Sequence, residues 1–222
     1  MAGNTISSDF NGRIYIHVEQ TSATSDDFLA PDALTTALAW DSANIISSGL
    51  VSNLISFHIG KTSSVSGSIS APGTGTIALT WDSVNVISGD TLSGDISIHV
   101  GKTAAVSSDF ASPGSILRAL TWDSANLISG DANLDRISFH IGKTSSVSGS
   151  ISAPGTGAGL GGLAWDGVNV MSTDFAAPPD ELHVQDGKDV AILFSFNSPS
   201  TAPYGLTFEL ISAFTPQIVA YG

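Results

Sequence analysis

The sequence predicts an all-β protein built from tandem units of about 41 residues, a period that marks an array of like structural units. Three observations carry this. Pro31, Pro72, Pro113 and Pro154 stand 41 apart, and Trp40, Trp81 and Trp122 keep the same step, with Trp165 arriving two residues late. His17, His58, His99 and His140 repeat in the same way, followed by His183, again two late. Within a unit, Ile137, Phe139, Ile141, Val147 and Ile151 share one parity, while Ser138, His140, Thr144, Ser146, Ser148, Ser150 and Ser152 share the other. That period of two is the mark of strands with one face buried and one face wet. No i, i+3, i+4 apolar stripe persists, so helix is not expected.

The elements of one unit follow in order. The apolar parity that starts at Ile137 is interrupted by Lys143 and Ser145, so the chain is expected to bend or break between Gly142 and Ser146. An Ala-Pro-Gly-Thr or Ser-Pro-Gly turn closes the first half, at 71–74, 112–114 and 153–156. The second half alternates again, through Ile77, Leu79 and Trp81 in one copy and Ile116, Leu120 and Trp122 in another. Asp123-Ser124-Ala125-Asn126 then reads as a turn, because these side chains bond to nearby backbone. A short strand, Leu127-Ile128-Ser129, follows. Each unit is expected to hold four strands or two long bent ones.

A second period overlies the first. LISFHIGKTSSVSGSISAPGTG at 54–75 recurs almost letter for letter at 136–157, 82 residues later, and SDDFLAPD at 25–32 resembles SSDFASPG at 107–114. Units of two types therefore alternate. This 82-residue superperiod favours β-sandwich-type domains, spanning 1–94 and 95–177, or a continuous antiparallel array. The alternative is a five-bladed β-propeller, since four strands in 41 residues match one blade. From about Pro178 the pattern changes, and 178–222 form an aromatic-rich segment, expected to cap the array or to drive oligomerisation. Its candidate interface residues are Phe194, Phe196, Phe208, Phe214 and Tyr221.

Composition narrows the function classes. Of 222 residues, 42% are hydrophobic, so the chain can bury a core, and only 12% are charged. A net charge of −13 disfavours binding to nucleic acid or to an anionic lipid membrane. There is no cysteine, hence no disulfide framework or zinc–thiolate site. The first residues show no basic-then-apolar leader and no apolar run reaches membrane-spanning length. The expected location is a virion or extracellular surface, reached without a conventional signal peptide.

Gly-Lys-Thr at 60–62, 101–103 and 142–144 is not a phosphate loop, because Ile55, Ile96 and Ile137 stand where its first glycine should be. The Trp-Asp pair resembles the dipeptide of WD40 propellers, but the Gly-His pair and tight-turn Asp of those repeats cannot be placed here. The expected role is mechanical, with each Trp filling core and each Asp capping the turn to the following Asn. The histidines read as a ladder of solvated side chains on the polar parity. Every candidate catalytic group is present three to five times, which argues against an enzyme, and no cofactor or metal site is expected. The chain is thus expected to be a structural repeat protein, pairing with itself or with other subunits of an assembly such as a virion, phage tail or filament. The alternative is a multivalent carbohydrate-binding module. Its candidate sites combine an aromatic with Asp and Asn: Trp40, Asp41 and Asn44; Trp81, Asp82 and Asn85; Trp122, Asp123 and Asn126; Trp165, Asp166 and Asn169.

Overall fold

The computed structural model describes residues 3–154, 159–175, 180–200 and 202–210. The chain starts with β1 (Gly3–Asp9), β2 (Arg13–His17) and β3 (Thr24–Leu29). Blade 2 holds β4 (Thr35–Trp40), β5 (Ile45–Gly49), β6 (Leu54–His58) and β7 (Val65–Ser70). Blade 3 holds β8 (Thr76–Trp81), β9 (Val86–Asp90), β10 (Asp95–His99) and β11 (Val106–Ala111). Blade 4 holds β12 (Leu117–Trp122), β13 (Leu127–Asp131), β14 (Arg136–His140) and β15 (Val147–Ser152). Blade 5 holds β16 (Leu160–Trp165), β17 (Val170–Asp174), β18 (Glu181–Gln185) and β19 (Ile192–Asn197). The last strand, β20 (Pro203–Leu210), pairs antiparallel with β1 and becomes the inner strand of blade 1, in the order β20-β1-β2-β3.

The inner strands β20, β4, β8, β12 and β16 pack side by side around an axis and β16 returns to β20, so the ring is closed. The all-β, four-stranded repeat thus takes the form of the alternative architecture, a five-bladed β-propeller. Paired sandwiches and an open array do not form, and the reason lies in the polar parity. Each sheet packs a neighbour on both faces, so in blades 2 to 5 the second strands are buried throughout, as in Ile45–Gly49 and Val86–Asp90, and the third strands at all but their first residue. Five apolar clusters lie one between each adjacent pair of blades; Ile6, Ile14, Leu38 and Ile45 join blades 1 and 2, and Met171, Leu182, Leu206 and Phe208 join blades 5 and 1. Small residues allow this approach: a Cβ on Gly130 would stand 2.5 Å from Leu160 Cδ2 of the next blade.

Burial on both faces changes the expectation for the histidines. His17, His58, His99 and His140 are 0–1% exposed rather than solvated. Buried polar groups need partners, and here the serines of the second strand provide them. Ser7, Ser47, Ser88 and Ser129 lie 2.8–2.9 Å from the Nε2 atoms of the four rings. Each Nδ1 lies 2.7–3.0 Å from the carbonyl of the Thr four residues on, at Thr21, Thr62, Thr103 and Thr144. A carbonyl only accepts, so Nδ1–H donates to it and the serine hydroxyl donates to Nε2, which fixes the neutral tautomer. The fifth histidine departs from the series. His183 pairs with Ser172 as Ser138 pairs with Ser129, so Gln185 fills the place of the repeat histidine. Its Nε2 donates to the Asp189 carbonyl as the histidines do to Thr.

The two-type alternation also has a use inside the ring. In blades 2 and 4 the third strand carries Phe57 or Phe139 and the outer strand Ile69 or Ile151. In blades 3 and 5 the sizes are exchanged: Ile98 with Phe110, Val184 with Phe196. The two positions are diagonal neighbours across the strand pair, since Ile96 faces Phe110 and Ile98 faces Ser108. Each blade thus holds one large and one medium side chain, in either order. Ile98→Phe alone is expected to overpack the interface and cost about 1–3 kcal/mol. Adding Phe110→Ile should recover most of that loss, read as coupling in a chemical-denaturation double-mutant cycle; additive losses would disprove the size exchange.

Candidate functional site at the axial mouth

In blades 2 to 5 each inner strand ends in Trp, is followed by Asp, and turns tightly into the second strand. Ser42, Ser83 and Ser124 take the left-handed conformation there, with φ of 79–83°, and Gly167 fills the equivalent place in blade 5. The Asp carboxylate holds the turn. Asp82 Oδ1 accepts from the backbone N–H of Val84 at 2.9 Å and of Asn85 at 2.6 Å, and Asp41, Asp123 and Asp166 do the same. The Asn side chain then ties this turn to the outer hairpin: Asn44, Asn85, Asn126 and Asn169 accept from the N–H of Gly60, Gly101, Gly142 and Gly187 at 2.9–3.0 Å.

The Gly-Lys-Thr motif, replaced by Gly187-Lys188-Asp189 in blade 5, completes a link between blades. Lys102 lies over the Trp81 ring of its own blade and pairs with Asp41 of the preceding one. Lys143 covers Trp122 and pairs with Asp82; Lys188 covers Trp165 and pairs with Asp123. Lys61 covers Trp40 and reaches Glu209 at 2.7 Å. At the remaining junction Gln20 donates to Asp166 at 3.0 Å, a neutral group where the others have a cation. Burial works to raise the Asp41, Asp82 and Asp123 carboxyls, but the lysine ammonium and the turn N–H groups outweigh it and hold all three below the usual range. Asp166 is also lowered, by its turn N–H bonds and Gln20 against the burial that raises it.

The four half-buried indoles converge on the axis. Trp40, Trp81, Trp122 and Trp165, with Phe208, line a cup of about 530 Å³ floored by Thr80, Thr121 and Thr207 and rimmed by Ser42, Ser83 and Ser124. Below it the inner strands close in, and the space among Ala37, Leu38, Leu79, Leu120 and Leu163 falls to about 10 Å³, room for one water at most. The cup is therefore blind. In the hairpin turns after the first and third strands of the blades, Val18, Ile59, Val84, Val100, Ile141 and Val168 are exposed. The volume suits a small ligand or a few side chains.

The structure gathers the four sequence-predicted Trp residues into one site. It sets the Asp and Asn of the same motif behind them, with carboxylates and amides engaged in the turns. Phe208, read from sequence as an interface residue, is the fifth aromatic of the cup. Thr207-Phe208-Glu209 matches Thr80-Trp81-Asp82, the one signal that could have placed it. Phe196 packs half-buried against His17 at 5.7 Å between ring centroids, and Phe194 lies exposed on the outer strand of blade 5. Phe214 and Tyr221 lie outside the described residues.

No known protein family matches the chain, and no curated protein matches it in sequence. Among solved structures the chain is similar to one in the crystal structure of a mitotic checkpoint complex, at 16% identity and a TM-score of 0.55, covering 89% of this chain and 64% of that one. It spans less than two thirds of that neighbour's length. It is also similar to BamB from Moraxella catarrhalis, at 12% identity and a TM-score of 0.46, over 88% of this chain and 70% of that one. At these identities the first likeness shows the propeller fold and nothing about activity.

Proposed function

We propose that this propeller is a partner-binding scaffold without catalysis, whose blind aromatic cup receives an apolar side chain of a partner polypeptide. The carrying observation is the cup itself, lined by five aromatic side chains, with exposed Val and Ile in the hairpin turns of the blades. Charge supports the reading. The lysines nearest the cup are neutralised by carboxylates of the preceding blade, so the mouth offers apolar surface and hydroxyls rather than a fixed charge. An apolar anchor in an aromatic pocket with a tolerant rim is a common arrangement of binding hot spots.

A carbohydrate reading shares the indoles but loses its polar ligands, since the Asp and Asn groups are spent within the turns. The two are separated by one experiment. Ser83→Lys and Ser124→Lys together fill the cup mouth from exposed positions, with circular dichroism to check that the double variant folds. Panning a random dodecapeptide phage library is expected to enrich aromatic or aliphatic anchors on the unaltered protein. Binding of those peptides, followed by Trp fluorescence, should weaken tenfold or more in the double variant. Equal enrichment on both proteins would end the proposal, and a glycan-array signal lost only in the variant would favour carbohydrate.

A further inference from the structure

The outer strands of a propeller present unpaired backbone groups at its rim, and natural edges are kept from pairing by charge, glycine or irregularity. In four blades this holds: β3 exposes Asp26 and Asp27, β11 exposes Asp109, and β7 and β15 are Val-Ser-Gly-Ser-Ile-Ser. Blade 5 departs from the rule. Its outer strand reads Ile-Leu-Phe-Ser-Phe-Asn and carries no charge. Ile192, Leu193 and Phe194 are 42–51% exposed on its two faces, Val190 just before it is exposed as well, and among the described residues β19 pairs only with β18.

We propose that β19 pairs antiparallel with β19 of a second copy of this chain, joining two blade 5 sheets into one eight-stranded sheet. A second copy is the occupant that the strand's own pattern admits. The chain carries −13, which opposes self-association elsewhere, but β19 is a neutral strand that meets itself without like charges opposed. Antiparallel pairing about a two-fold axis perpendicular to the sheet brings same-face side chains together, Ile192 and Phe194 against Ile192 and Phe194, and covers Leu193 on the other face. It also carries exposed Asp189, just before the strand, to the uncharged Asn197–Ser198–Pro199 end of the partner copy; a parallel pair would set Asp189 against Asp189. One such edge per molecule gives an isologous contact that closes at two copies.

Sedimentation equilibrium over a concentration series tests this. The unaltered protein is expected to approach twice its 22.6 kDa mass at tens of micromolar. Leu193→Lys with Phe194→Lys, both at exposed positions, should return it to a monomer with unchanged far-UV circular dichroism and melting temperature. Amide exchange of Ile192–Asn197 should slow as concentration rises in the unaltered protein only. A monomer with rapidly exchanging β19 amides at 200 μM, a dimer that survives both lysines, or a polymer larger than two would each overturn the proposal.

Discussion

Asp82→Ala is expected to destabilise the protein by about 2–4 kcal/mol, the cost of leaving the turn donors without an acceptor and a part-exposed lysine without its partner. The side chain of Asp82 is 1% exposed and joins three things at once: the N–H groups of its own turn, the Asn85 amide, and Lys143 of the next blade. Its removal leaves an ammonium over Trp122 with no counter-charge and two turn donors without an acceptor. For a chain of this size that loss lowers the melting temperature by roughly 10 °C. Asp166→Ala removes the same turn acceptor but faces neutral Gln20. Its loss should be smaller by about 1–2 kcal/mol. Equal melting shifts for the two variants, measured by calorimetry, would show that the lysine links add nothing to the turns.

Acidification is expected to weaken the ring well above the carboxylate range. Burial pushes His17, His58, His99, His140 and His183 below the ordinary value of 6.5, and nearby Glu181 and Asp174 only partly offset this at His183. The unfolded chain then binds more protons than the folded one below about pH 6.5. Stability is full above that pH and falls as pH drops toward the folded values, by at most about 1.4 kcal/mol per pH unit for each histidine. Asp135 is raised by burial and Asp174 and acts in the opposite sense over its own range. The lowered carboxyls of Asp32, Asp41, Asp82, Asp90, Asp123 and Asp166 contribute above about pH 3.9 and are lost in a second, more acidic window. His58→Gln isolates one ring, and Gln185 shows that glutamine fits the position. Urea midpoints between pH 7.5 and 5 should fall more gently in that variant, by up to one proton's slope. A flat profile in the unaltered protein would contradict the neutral tautomer.

The repeat period, the four strands per unit and the turn at Asp-Ser-x-Asn could be read directly, because local chemistry dictates each. The closure could not. Whether Ser47 and His58 face water or another blade depends on what lies across the sheet, and period-2 patterning is the same in both cases. The alternation of types looked like a pairing of units, yet it is an exchange of volume between Phe57 with Ile69 and Ile98 with Phe110. The cup was legible in part. Four Trp residues at a fixed step announce a ring once the ring is known, but β20 hides the fifth place behind Phe208 and Glu209. His183 misled for a related reason: two extra residues in the turn before β18 shift it off the repeat, and spacing alone cannot distinguish it from Gln185.

Blade 1 draws its outer three strands from Gly3–Leu29 and its inner strand from Pro203–Leu210. Until that last strand is in place the ring stays open at blade 5: Ile6 and Ile14 of the early strands can already cover Leu38 and Ile45, but Met171 and Leu182 lack the cover of Leu206 and Phe208. The pairing that joins Ile6 to Thr207 spans nearly the whole chain, and such distant contacts form late and slowly. During synthesis the nascent arc must therefore wait with its blade 5 flank bare, so the period before β20 emerges is when the protein is most exposed to aggregation.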